Sequence, residues 1–269
     1  MIVHNFDPVF IDLGLFQIRW YSLAYIVGIA LGWIYGIRII KYMAKNKYDF
    51  TPIKPAQFED LIIYLIIGIV LGGRLGYIIF YNFDYYNQNP SEILKIWQGG
   101  MSFHGGLIGV VIATFIFSKI TKTNFFKFSD VIACVAPIGL FLGRIANFIN
   151  GELFGKISSL PWAVIFPEAD NLSRHPSQIY EAILEGIVLF LIMNFLVFKK
   201  QLFLKTGYLS SFFLILYSLL RIVSENFREP DPHLGYLFNY FSMGTLLSIV
   251  TFLTGFLIIL FIKKNEQNN

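Results

Sequence analysis

Seven stretches of this chain are long and apolar enough to cross a lipid bilayer. A hydrocarbon core about 30 Å thick takes roughly 20 residues of helix, and the segments near 20–40, 57–80, 101–118, 129–149, 177–198, 207–225 and 240–262 meet that length. Helices are the natural solution in lipid, because each satisfies its backbone polar groups internally. The expected fold is therefore an all-α polytopic membrane protein, a bundle of about seven transmembrane helices forming one domain over residues 1–269. Composition agrees: 14% of residues are charged, against about a quarter in a soluble domain. The 29 Phe and 15 Tyr supply material for aromatic belts at the interfaces.

The basic residues set orientation. With the N-terminus outside, thirteen fall on the cytoplasmic side: Arg38, Lys41, Lys45, Lys47, Lys54, Lys119, Lys122, Lys127, Lys199, Lys200, Lys205, Lys263 and Lys264. Five fall outside, namely Arg19, Lys95, Lys156, Arg174 and Arg228, and three lie within spans, Arg74, Arg144 and Arg221. The expectation is N-terminus out and C-terminus cytoplasmic. The N-terminal segment lacks a basic leader and a small-residue cleavage site, so it is expected to remain as the first helix. A net charge of +4 scattered over short loops is no signature of a nucleic-acid partner. Cys134 is the single cysteine and sits in an apolar run, which excludes a disulfide and a cysteine-based metal site within the chain.

Connections on the basic side are short, whereas 81–100 and 150–176 are longer and rich in Pro, Gly, Asn and aromatic residues. Those two segments are expected to be structured on the outer face. No internal repeat is present, which argues against inverted-repeat transporter folds. Small residues recur four apart at Gly28, Gly32 and Gly36, Gly72 and Gly76, Gly105 and Gly109, and Gly139 and Gly143. That spacing predicts close helix packing rather than chemistry.

Arginine within a span costs about 2.5–3.5 kcal/mol on insertion scales and is normally offset by a partner or an aqueous cavity. In the predicted topology Arg74, Arg144 and Arg221 all approach the outer ends of their spans. His104 in MSFHGG opens the third span, HPSQIYEAILEG (175–186) opens the fifth, and Trp20 with Tyr21 opens the first. The polar groups are thus expected to converge at one depth, in the outer half of the bilayer. Helical spacing puts Arg144 with Asn147 on one face, Tyr217, Arg221, Glu225 and Arg228 on a second, and Gln178, Glu181 and Glu185 on a third. Guanidinium forks suit phosphate or carboxylate, so the constellation points to an anionic phospholipid headgroup.

Blander readings stand beside these. Arg221 with Glu225 could be a structural i, i+4 pair, Glu181 and Glu185 could orient arginines, and Arg74 could snorkel to the interface. Asp130 reads as the N-cap of its own helix. His104, with an unperturbed pKa of about 6.5, suits proton transfer; His4 and His233 read as solvated, and His175 as a brace for the fifth helix. An anionic-lipid transporter or flippase is the alternative function. It would need polar groups in the inner half of the spans, where the sequence has almost none. A non-catalytic scaffold would not need His104 beside three intramembrane arginines.

Five blocks carry a family resemblance: GGRLGYIIFYNF (72–83), WQGGMSFHGGLIGV (97–110), GRIANFINGELFG (143–155), RHPSQIYEAILEG (174–186) and RIVSENFREPD (221–231). In content and order they resemble the motif blocks of bacterial prolipoprotein diacylglyceryl transferases, and they span nearly the whole chain. Departures are Asn226, where the family often has an aromatic residue, and Thr245 in FSMGT, where glutamine is common; both are expected to affect local packing only. The resemblance implies an enzyme of the bacterial cytoplasmic membrane with its active site toward the outer leaflet. Such an enzyme moves the diacylglyceryl group of phosphatidylglycerol to the lipobox cysteine thiol of a preprolipoprotein, releasing glycerol 1-phosphate. It implies no cofactor and no metal, and membrane lipids as surroundings. Expected roles are Arg144 and Arg221 on the lipid phosphate with Arg74 nearby, Asn147 and Tyr21 as hydrogen-bonding support, and His104 as the base. Glu152 and Glu225 would orient the arginines, with Asn150, Gly155, Tyr217, Arg228, Gln178 and Glu181 supporting.

Overall fold

A computed structural model of the chain describes residues 2–14, 17–45, 53–96, 99–230 and 240–268. His233, Lys47, Trp97, Gln98 and Asp231 lie outside the described residues. The chain is mostly helical: α1 Trp20–Lys45, α2 Pro55–Tyr81, α3 Phe83–Gln88, α4 Phe103–Ile120, α5 Phe125–Ile149, α6 Ser177–Glu181, α7 Leu189–Phe198, α8 Tyr208–Glu225 and α9 Met243–Asn268. A π-helical turn, Ala182–Val188, joins α6 to α7 in one span. Among the described residues, seven helices are long and apolar enough to cross a membrane, so the protein is an all-α, multi-pass membrane protein. Two compact units are present, residues 37–129 and residues 1–36 with 130–269.

In the unit 37–129, α2 packs on α4 through facing glycines. A Cβ on Gly76 would lie 2.7 Å from the Gly105 Cα, and one on Gly72 would lie 2.9 Å from the Gly109 Cα. Contacts that close are open only to residues without side chains, which is the physical content of the four-residue glycine spacing. The opposite sides are apolar and exposed, with Ile63, Ile67, Leu71, Leu107, Val111 and Phe115 among them, as lipid-facing surfaces must be. Ser102 caps α4, its Oγ accepting from Gly105 N at 3.2 Å.

The other unit holds the first part of α1, most of α5, and α6 to α9. Gly28 of α1 backs onto Gly139 of α5, and Gly186 in the π turn presses against Phe141, whose Cβ lies 2.6 Å from where a Cβ would stand. π turns are rare and recur at functional sites. Short strands decorate one end: β1 Ile2–Val3, β4 Val164–Ile165 and β5 Ser173–Arg174 form a sheet in the order β1-β4-β5. β1 runs parallel to β4 and β4 antiparallel to β5. β2 Val9–Asp12 and β3 Gln17–Arg19 form a hairpin leading into α1. The segment 150–176 is thereby structured, as its composition predicted.

Asp130 corrects the sequence reading. Its helix starts five residues earlier, at Phe125, so it cannot cap that helix. Its carboxylate instead accepts from Gly207 N at 2.6 Å, Ser210 N at 2.7 Å and Ser210 Oγ at 2.6 Å. It therefore satisfies the free donors at the start of α8, tying α8 to α5.

Candidate functional site

The charged stripes read from helical spacing meet in the unit formed by residues 1–36 and 130–269. Arg144 on α5 reaches Glu181 Oε2 with Nη1 at 2.8 Å and Glu185 Oε2 with Nη2 at 3.2 Å. Arg221 on α8 reaches the other oxygens of the same pair with Nη1, Glu181 Oε1 at 2.8 Å and Glu185 Oε1 at 3.1 Å. Its Nη2 turns to Glu225 Oε2 at 2.5 Å. Arg228 Nη1 approaches Glu181 Oε1 at 3.6 Å, and Ser224 Oγ donates to Glu185 Oε1 at 3.1 Å. Two carboxylates on the fifth span thus bridge guanidinium groups on two other helices. Tyr217 lies within electrostatic range of Arg221, Arg144 and both bridging glutamates.

Charge balances inside the cluster: Arg144, Arg221 and Arg228 face Glu181, Glu185 and Glu225. Glu181 and Glu185 are wholly shielded, at 0% exposure, and burying either without a cation would cost several kcal/mol. Each arginine donates in its fixed planar fork, a geometry that lysine cannot copy. The Arg144 side chain keeps 15% of its surface accessible, against 8% for Arg221 and 11% for Arg228. Arg144 is the cation of the cluster most open to an incoming anion.

The turn after α5 stands beside it. Asn147 Nδ2 donates to Glu152 Oε1 at 2.7 Å, and Asn150 Nδ2 lies 3.4 Å from the same oxygen. The start of the fifth span holds this turn from the other side, with Gln178 Nε2 donating to Glu152 O at 2.7 Å and Ser177 Oγ to Leu153 O at 3.0 Å. Gly151 and Leu153 take positive φ, +69° and +59°, which for leucine is a strained conformation that surrounding bonds must hold. Gly155 sits where three segments meet: a Cβ would lie 2.5 Å from His175 O and 2.6 Å from Phe227 O. Its own N–H donates to His175 O at 2.9 Å.

Arg174 clasps this loop region. It is buried, with Nη2 2.6 Å from Asp170 Oδ2, Nη1 3.0 Å from Gly155 O and 3.3 Å from Glu229 Oε2, and its guanidinium over the Phe154 ring. The hydrogen bond from Arg174 holds the Asp170 carboxyl below its ordinary value, which is about 3.9. A depressed carboxyl pKa contributes stability that is complete above the ordinary value and is lost as pH falls through the depressed one. Limited proteolysis should therefore find segment 150–176 equally resistant from pH 7 to 5 and progressively nicked below about pH 4. Asp170→Asn should be nicked across that whole range; resistance equal to wild type at pH 7 would remove the clasp. Burial, and then Lys156, push the His175 imidazole below its usual value, keeping it neutral beside Tyr180 OH at 3.3 Å.

The family model described as prolipoprotein diacylglyceryl transferase matches residues 8–261. A relative from Rickettsia bellii is 50% identical over 97% of both chains, one from Rickettsia felis is 48% identical over 95% of this chain and 96% of its own, and one from Rhodopseudomonas palustris is 48% identical over 95% of this chain and 89% of its own. All three are named phosphatidylglycerol–prolipoprotein diacylglyceryl transferase. The chain belongs to the prolipoprotein diacylglyceryl transferase family.

In this member of the transferase family, the remaining expected residues have surroundings of their own. Tyr21 is exposed and packs with its ring tilted against that of Tyr25, centroids 5.2 Å apart; Tyr25 lies within electrostatic range of Arg144 and Glu152. In the unit 37–129, Arg74 is buried and spends its donors on backbone carbonyls. Nε reaches Ile93 O at 3.0 Å, Nη2 reaches Glu92 O at 2.7 Å and Lys95 O at 3.2 Å, and Nη1 reaches Gly99 O at 2.5 Å. That geometry anchors the segment after α3. His104 lies in the first turn of α4, exposed, its ring edge-on to Phe103.

Other residues of the site escaped the sequence reading. Glu185 was read as orienting arginines but given no place among the site residues, yet it bonds both Arg144 and Arg221. His4, expected to be solvated, is half-buried among Phe6, Phe148 and Phe166, and its Nε2 meets Phe148 O at 2.7 Å. Its signal was the aromatic residue two positions on, but the partners lie more than 140 residues away. FSMGT, expected to matter for packing alone, places Ser242 Oγ 2.8 Å from Glu225 Oε1.

Proposed function

We propose that this protein is a phosphatidylglycerol–prolipoprotein diacylglyceryl transferase, acting in lipoprotein biosynthesis. One observation carries the reading: relatives carrying that name match 97% of the chain at 50% identity. The Arg144–Glu181–Glu185–Arg221 cluster supports where the reaction is held.

In the proposed reaction the lipobox cysteine thiolate attacks the glyceryl carbon that bears the phosphate ester. A C–S bond forms as the C–O bond to phosphate breaks, and glycerol 1-phosphate leaves with the bonding pair. A free thiol with a pKa near 8.5 needs a base or a positive potential to attack at neutral pH. His104 is our candidate for that proton. The leaving phosphate gains charge, which fixed cations stabilise; Arg144, the most accessible, and Arg221 behind it are assigned to it, with Asn147 and Tyr21 bonding polar oxygens. Glu152, Asn150, Gln178 and Gly155 hold the turn, while Glu181, Glu185 and Glu225 hold Arg144 and Arg221, with Tyr217 beside them and Arg228 on Glu181. We assign Arg74 to fixing the segment after α3, since carbonyls engage its donors. The seven spans act as one transferase domain in the bacterial cytoplasmic membrane, N-terminus outside, with the site toward the outer leaflet. The thirteen-to-five distribution of basic residues supports that orientation.

The test is to incubate purified protein with phosphatidylglycerol and a lipobox peptide. A peptide heavier by one diacylglyceryl group, with glycerol 1-phosphate in equal amount, is expected. Their joint absence from a folded preparation refutes the assignment.

A further inference from the structure

The start of α9 carries no charge, yet it touches the charged cluster. Ser242 stands just before α9, and its Oγ accepts from Thr245 N at 3.1 Å, capping the helix. The same hydroxyl donates to Glu225 Oε1 at 2.8 Å. Two residues on, Gly244 faces the carboxylate directly: a Cβ there would stand 2.6 Å from Glu225 Cδ and 2.7 Å from Oε2. The Glu225 carboxylate therefore lies flat on the first turn of α9, in space that any side chain at 244 would fill. A helix N-terminus also favours an anion at that place.

Glu225 in turn holds one arm of Arg221. Nη1 of that arginine serves Glu181 and Glu185, while Nη2 points to Glu225 Oε2. We propose that Ser242 and Gly244 are positioning residues for the transfer reaction, fixing the Arg221 guanidinium through Glu225. Gly244 supplies the room and Ser242 the direction. A methyl group at 244 displaces the carboxylate, frees Nη2 and lets the guanidinium plane turn about its remaining contacts with the fifth span. This inference rests on the proposed assignment of Arg221 to the lipid phosphate.

A compensation cycle tests it. Gly244→Ala should lower kcat at least tenfold and leave KM for the lipobox peptide within twofold. Glu225→Asp shortens the acid by one methylene and should by itself lower kcat severalfold. In the double variant the shorter acid clears the new methyl group, so kcat should be at least threefold above that of Gly244→Ala. Gly255→Ala is the control for packing alone: its Cβ would press Ser211 O at 2.8 Å and Ile215 Cγ1 at 3.0 Å, between the same two helices but away from Glu225. It should lower the thermal midpoint, and Glu225→Asp should restore nothing in that background. Ser242→Ala should lower kcat without the steric effect, and Glu225→Asp should not rescue it.

Wild-type kcat in Gly244→Ala, or a double variant no better than that single variant, overturns the proposal. The same cycle read by thermal unfolding does not depend on the reaction. Positive coupling between positions 244 and 225 in a wild type that transfers nothing would uphold the contact and defeat the functional assignment. Absence of coupling in an active wild type would defeat the contact alone.

Discussion

Arg221→Ala is expected to destabilise the protein severely, whereas Arg144→Ala should leave it folded and inactive. The difference follows from what each removal strands. Without Arg144, Glu181 still faces Arg221 and Arg228, and Glu185 still has Arg221 and Ser224. The loss is then that of charge-assisted hydrogen bonds, about 1.5–3 kcal/mol. Without Arg221, Glu225 loses its cation while 8% exposed. Leaving a buried charge unpaired costs about 3–5 kcal/mol, a large share of a total stability of about 5–15 kcal/mol. Turnover should fall in both, by at least about 100-fold for Arg144→Ala, the scale seen when one preorganised donor to a developing anion is removed. Thermal unfolding in detergent and release of glycerol 1-phosphate measure the two effects separately. Equal destabilisation by both variants, or turnover retained in Arg144→Ala, would contradict the arrangement.

The same bookkeeping of partners explains what the sequence could and could not reveal. Seven spans were legible because length and apolarity are local properties, and a lipid core enforces them. Their ends were less so: α1 continues past 40 to Lys45, and α5 begins at Phe125 rather than near 129. Amphipathic and aromatic turns extend helices beyond the strictly apolar run. Arg144, Arg221 and Glu181 stood out because a charge in an apolar helix needs a reason, and helical spacing then showed which residues share a face. Spacing could not show that Glu181 and Glu185 each bridge two arginines, since that depends on how three helices pack.

Long-range contacts were the general blind spot. The donors that Asp130 caps lie 77 and 80 residues away, so its own neighbourhood suggested a local cap. His4 is placed by a carbonyl 144 residues distant. Gly244 carried no sign of its role, because the property that matters there is the absence of a side chain next to a carboxylate from another helix. Arg174 is the instructive exception. Its i, i+4 partner Asp170 was in view, but counting it only as a topological charge concealed a clasp.

Glu181→Gln separates holding the arginines from holding them neutral. Glutamine keeps nearly the same shape and can still accept a hydrogen bond, but it leaves Arg144, Arg221 and Arg228 facing only Glu185 and Glu225. The cluster then carries one net positive charge in a shielded site, where a unit pair about 6 Å apart is worth roughly 3 kcal/mol at an effective dielectric of about 20. In the proposed reaction the bound lipid phosphate carries one negative charge and the departing glycerol 1-phosphate up to two, so the added charge favours product over substrate. Inhibition by glycerol 1-phosphate should strengthen at least tenfold, equivalent to about 1.4 kcal/mol, while turnover falls by a similar factor. Glu181→Asp supplies the contrast: it keeps the charge but shortens the bridge, so it should lose turnover without gaining product affinity. If glycerol 1-phosphate inhibited Glu181→Gln no better than wild type, Arg144 and Arg221 would not be acting on the phosphate, and the charge balance of the cluster would serve folding alone.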